Sequence, residues 1–112
     1  MTTTLRPFNA GQQLTTSVAT YYTGAASSRS VIYNATVTNT SASDATFDLH
    51  LVPVSGSASD ANLIIKDKLV PAGQTYHATE LSGKIISNNG TIQASASAAT
   101  TLSLNISGAI QN

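Results

Sequence analysis

From Ser30 onward the chain alternates apolar and polar residues with a period of two. Val31, Tyr33, Ala35 and Val37 share one side, with Asn34, Thr36 and Thr38 opposite. That pattern is the signature of a half-buried antiparallel strand. Ala45, Phe47, Leu49 and Leu51 repeat it against Thr46, Asp48 and His50, and Pro53 ends the run. The 39–44 segment between them is rich in Asn, Asp and Ser, whose side chains bond locally to turn backbone. The two runs are therefore expected to form a β-hairpin.

Further strands follow. Leu63 to Val70 predicts one whose charged centre, Lys66, Asp67 and Lys68, marks a solvent-facing or edge position. Pro71-Ala-Gly73 predicts a tight turn. Short strands are expected over 75–81 and 83–87, then a hairpin turn at Asn88-Asn-Gly90. Ile92, Ala94 and Ala96 alternate with polar residues, as do Leu102, Leu104 and Ile106. Upstream, Leu14, Val18 and Tyr22 have helical spacing, but the Thr, Val and Tyr content of this stretch favours a strand.

Residues 1–11 show no sustained period and are expected to form an extended N-terminal arm, followed by one β-sandwich domain over 12–112. Leu5 and Phe8 flank Arg6-Pro7, and Pro7 pushes Arg6 toward extended backbone. Such a segment can seat two apolar anchors on a neighbouring subunit or add to a sheet edge. The competing expectation is a disordered terminus.

Seven or eight strands with turn signals every 8–15 residues predict an all-β fold, a single antiparallel β-sandwich with Greek-key or jelly-roll-like connections. A closed barrel is the alternative. The expected core is Val31, Tyr33, Val37, Phe47, Leu49, Leu51, Ile92, Leu102, Leu104 and Ile106.

Composition narrows the function. Of 112 residues, 16 are Ala, 16 Thr and 15 Ser, and charged residues reach only 9%. Five basic side chains balance five acidic ones, so the clustered positive charge of a nucleic-acid binder is missing. No apolar run approaches the length of a transmembrane helix. Met1 to Pro7 has no apolar h-region, so no secretory signal is read there. With no cysteine, disulfides, zinc-thiolate sites and thiol chemistry are excluded.

Candidate chemistry is sparse. His50 lies two residues from Asp48, and a metal site would need a third ligand such as His77 or Asp67. An exposed His beside an exposed Asp is the expected reading. With 31 Ser and Thr residues, any Ser/His/Asp combination carries little information. No Gly-x-Ser-x-Gly elbow and no phosphate-binding Gly loop occurs. The chain is expected to be no enzyme and to bind no cofactor or metal. Sequons at Asn34, Asn39, Asn89 and Asn105 are expected by chance in so Ser/Thr-rich a chain. Tyr21 and Tyr22 form a candidate sugar-stacking or interface platform, or else edge-strand residues with one ring in the core. Leu5, Phe8, Tyr21 and Tyr22 are thus the candidate interface residues.

Three stretches resemble a group of small tailed-bacteriophage structural proteins. They are Val37-Thr-Asn-Thr-Ser41 leading into Phe47-Asp-Leu-His-Leu-Val-Pro53; Ala61-Asn-Leu-Ile64 with Leu69-Val-Pro-Ala-Gly-Gln-Thr-Tyr76 and Glu80-Leu-Ser-Gly83; and Gly90-Thr-Ile-Gln-Ala-Ser-Ala-Ser97 with Leu104-Asn-Ile-Ser-Gly108. The resemblance spans roughly residues 15 to 110. It implies a non-catalytic β-sandwich built into the virion and assembled in the bacterial host cytoplasm. Capsid decoration or cementing comes first, and a neck, tail or fibre-attachment component second. The implied partners are other virion proteins (the major capsid protein, or neck and tail proteins) and further copies of the chain, with no nucleic acid and no membrane. Many relatives end in a Gly-x-Glu-Ile-like tail, whereas this chain reads Gly108-Ala-Ile-Gln-Asn112, so an acidic C-terminal contact is not carried over. A carbohydrate- or host-receptor-binding module built on Tyr21, Tyr22 and Tyr76 is the rival from a different class.

Overall fold

The computed structural model describes residues 3–111; Met1, Thr2 and Asn112 lie outside the described residues. Nine strands follow one another: β1 Thr3–Gln13, β2 Ala19–Thr23, β3 Arg29–Asn39, β4 Ala45–Val52, β5 Leu63–Val70, β6 Thr75–His77, β7 Ile85–Ile86, β8 Thr91–Ala96 and β9 Leu102–Gln111. The remaining helical pieces among the described residues are two 3-10 turns, Asp60–Asn62 and Thr79–Leu81. The first sheet runs β1-β9-β3-β6, with β7 also paired to β3; the second runs β2-β8-β4-β5. All the pairings are antiparallel. Setting aside the two-residue β7, that order over eight strands is a jelly roll.

The two sheets close on one apolar core. Phe47, Leu49, Ile92, Leu102, Leu104 and Ile106 are all essentially inaccessible, as expected from their period-two pattern. Leu14, Ile32, Val70 and Leu81 join them.

The expected hairpin between β3 and β4 does not form. Those strands belong to different sheets, and the 40–44 turn carries the chain across the sandwich. Asn39, 1% exposed, holds that crossing. Its Nδ2 donates to the carbonyls of Ser43 at 2.8 Å and Val70 at 2.9 Å, while its Oδ1 accepts from the Ser41 backbone N–H and hydroxyl. Asn39→Ala should cost about 2 kcal/mol, because it strands a buried carbonyl with no donor. Urea unfolding would register a lower midpoint at unchanged m-value, and a loss under about 0.5 kcal/mol would deny Asn39 this role. The Asn88–Gly90 turn likewise crosses between sheets instead of closing a hairpin.

Two further expectations are corrected by register. The β3–β9 ladder steps from Ile32↔Gly108 to Asn34↔Ser107, so Tyr33 is the extra residue of a β-bulge. Inward positions are Ser30 and Ile32 before it, and Ala35, Val37 and Asn39 after it. Val31 is therefore only half-buried and Tyr33 is 53% exposed, rather than core. Leu51 does point inward opposite Ile92, but at the open end of the sandwich, where it stays half-buried beside a cleft of about 150 Å³.

The arm expected over 1–11 is extended, but from Thr3 it is a sheet strand, paired with β9 of its own chain. Phe8 is the reason. Its ring reaches into the core edge, 9% exposed, and stacks on Tyr22 with centroids 4.4 Å apart and planes 12° apart. Asn9 adds a polar clasp, donating from Nδ2 to the Tyr21 carbonyl at 2.9 Å and accepting from the Gly11 N–H. One apolar ring on a polar segment was enough to dock it.

Candidate functional site

The first sheet packs its inner face on the core and leaves its outer face open. One register row crosses that face: Leu5 of β1 stands opposite Ala109 of β9, which stands opposite Val31 of β3, which stands opposite Ile85 of β7. Leu5 is 71% and Ile85 56% exposed, while Ala109 sits between its larger neighbours and is buried. Pro7 and bulged Tyr33 extend the apolar patch by one row, at the level of Ser107. Below them the same face turns to hydroxyl and amide groups. There Thr38 and Thr75 meet at 3.0 Å between hydroxyls, and Thr36 stands opposite both Asn105 and His77.

The expected interface residues fare differently. Leu5 is exposed at the β1 end of this patch. Phe8, Tyr21 and Tyr22 instead serve the sandwich's own closure. Tyr21 is buried and its hydroxyl accepts the Thr15 N–H, while Tyr22 lies under Phe8 with its hydroxyl 2.7 Å from that of Ser30. Tyr33, Val31 and Ile85 take their place. The run Val31-Ile-Tyr33 is continuously apolar, so its inward and outward members could not be separated by period alone.

The β5–β6 edge, where the two sheets meet, carries the main charged cluster. Lys68 places its ammonium 4.7 Å from the Tyr76 ring centroid, and the Tyr76 hydroxyl donates to the Glu80 carboxylate. Burial, then the Glu80 bond, pushes the Tyr76 hydroxyl up to about 12, and the same bond holds Glu80 below the usual carboxylate range. Tyr76 also packs at a tilt on Phe47, centroids 6.1 Å apart. An adjoining groove of about 480 Å³ is lined by Leu69, Pro71, Gln74 and Thr75 among others. With a cation over one side of the ring and Phe47 beside it, Tyr76 bridges the β5–β6 gap and is itself a half-buried wall of that groove.

His50 is buried, not exposed. It occupies an outward position opposite Gln93, but the 53–62 loop folds over it. Its Nδ1 lies 3.1 Å from the Ser59 carbonyl and 2.9 Å from Asn62 Oδ1. Both partners are acceptors, which assigns the proton to Nδ1. Asp48 is engaged elsewhere, accepting the N–H of Asp67 in the β5 bulge at 2.6 Å. Among the described residues no group of three or more His, Asp or Glu is placed to hold a metal ion, and no helix is long and apolar enough to cross a membrane.

No protein-family model and no curated protein matches the chain. A chain in the structure of infectious bursal disease virus, Gx strain, is similar at 15% identity and a TM-score of 0.46. The match covers 97% of this chain and spans about 30% of that one.

Proposed function

We propose that this protein is a non-enzymatic structural component of a bacteriophage virion, a capsid decoration or cement protein held on the particle surface in many copies. The observation that carries the reading is the apolar row of Leu5, Val31 and Ile85 with Tyr33, exposed on the outer face of one sheet in a charge-poor chain. Contiguous exposed apolar surface marks an interaction site. The jelly-roll order supports the reading at the level of fold, since viral capsid domains use it, as do lectins and cupins. The resemblance of the 37–53, 61–83 and 90–108 stretches to tailed-phage structural proteins supports the finer assignment. The non-catalytic reading is supported by His50, whose Nδ1 is held by a carbonyl and an amide oxygen rather than by a carboxylate. The closure contacts of Tyr21, Tyr22 and Tyr76 count against a sugar-binding platform built from these three rings.

Quantitative mass spectrometry of purified particles, scaled to the major capsid protein, tests the proposal. A decoration protein should be present in hundreds of copies, whereas a neck or tail component set by a single symmetry axis should number about a dozen to several dozen. The first result is expected. The second would move the protein to the neck, tail or fibre attachment, and its absence from particles would refute both placements.

A further inference from the structure

We propose that the outer face of the β1-β9-β3 sheet is the seat of a second copy of this chain, packed sheet on sheet. The proposal rests on the structural-component reading and names the partner of its apolar row.

Each free sheet edge is blunted against strand addition. β1 has Pro7, which offers no N–H, and bulges on both sides of Asn9. β2 is five residues long and bulged between Thr20 and Tyr22. β5 presents Lys66, Asp67 and Lys68, and β6 and β7 are three and two residues long. Association is left to a face.

Charge and area favour a copy of the same chain on this face. Along the outward positions of its strands Arg29 is the single charged residue, in the end row opposite Gln111. The whole chain carries no net charge. The face calls for no strongly charged partner, and the cations at its margin, Arg29 with exposed Arg6 and Lys84, are the electrostatic cost of seating a second copy. Strands of 11, 10 and 11 residues (β1, β9, β3), with the three- and two-residue β6 and β7 beside them, at about 3.3 Å per residue and about 4.8 Å apart make a face of roughly 600 Å². That approaches the ~800 Å² each partner gives to a standard interface. The contact is self-complementary. A two-fold axis parallel to the strands, through the middle of the Leu5–Ile85 row, sets Leu5 of one copy over Ile85 of the other and lays the Thr, Ser and Asn rows on their counterparts.

Sedimentation velocity with multi-angle light scattering on the full chain tests this. The wild-type protein at micromolar concentration is expected at twice the 11.5 kDa protomer mass or a higher closed multiple. Leu5→Lys combined with Ile85→Lys places like charges on the row and should return a monomer with unchanged far-UV circular dichroism. Leu69→Lys, on exposed surface of the other sheet, should leave the assembly intact. If the double variant fails to fold, Tyr33→Lys, at an exposed bulge position, is expected to give the same monomer. A wild-type monomer overturns the proposal, and so does an oligomer that persists in folded row variants. A monomer still present in particles at high copy would assign the face to another virion protein and leave the structural role standing. An oligomer absent from particles would do the reverse.

Discussion

Phe47→Ala is expected to remove about 3–5 kcal/mol of folding free energy. Phe47 is 1% exposed and stands in β4, paired with Ala96 on one side and Lys68 on the other. The neighbouring ring, Tyr76, is tied to Glu80 by its hydroxyl and lies under Lys68, which holds it back from the space. The Phe47 partner Ala96 and the nearby Ala45 and Ala94 are too short to close a cavity. The Phe47 ring also supports Tyr76, so its loss loosens the β5–β6 closure. A melting-temperature drop of about 10–20 °C should accompany the loss in a domain of this length. A measured cost below about 1 kcal/mol would mean that the core is not built around this ring.

Gly108→Ala is expected to cost about 3 kcal/mol or more, the upper end for forcing an extra carbon into a packed site. A Cβ built on Gly108 would lie 2.0 Å from the Val31 carbonyl oxygen and 2.9 Å from two carbons of the Phe8 ring. The ring could shift, but the Val31 oxygen is backbone in the neighbouring strand. Gly108 also pairs with Arg6 and with Ile32, so relief on either side costs a ladder. Adding Phe8→Leu should recover only part of the loss, because it clears the ring and leaves the carbonyl. Chemical denaturation of the two variants separates these contributions. A fully rescued double variant would put the whole obstacle in the ring. A glycine in a strand interior commonly marks such a close approach.

Much of the strand inventory was legible because a half-buried strand writes its burial into a period of two. The partners were not. Alternation reports that one face of a strand is covered and says nothing of what lies beside it. Of the consecutive strands only β4 and β5 pair with each other, so the polar turns at 40–44 and 88–90, which look like hairpin loops, carry the chain between sheets. Asn39 reads as a turn residue in sequence. Its real task depends on Val70, far along the chain. The docking of residues 3–13 was hidden for the same reason: the slot for Phe8 is made by Gly108 and Tyr22. At the candidate site, Leu5 stood out as an apolar residue on a polar segment. Tyr33 and Val31 read as core together with Ala35 and Val37, because a one-residue bulge that reverses which side of β3 faces out leaves no mark in the alternation.

The position of β9 sets the order in which this chain can mature. It is the second strand of its sheet, flanked by β1 and β3, yet it is made after β1 to β8. Until Leu102–Gln111 has been synthesised, β1 has no neighbour to pair with, and β3 lacks its main one. The apolar Val31-Ile-Tyr33 run then waits for its long partner strand until β9 is made. Pairings this distant close slowly, on millisecond-to-second scales, and unpaired strands are the species that aggregate. The first sheet therefore cannot close before β9 is made, and a nascent chain stalled before Leu102 carries β1 without its partner rather than a shortened version of the fold.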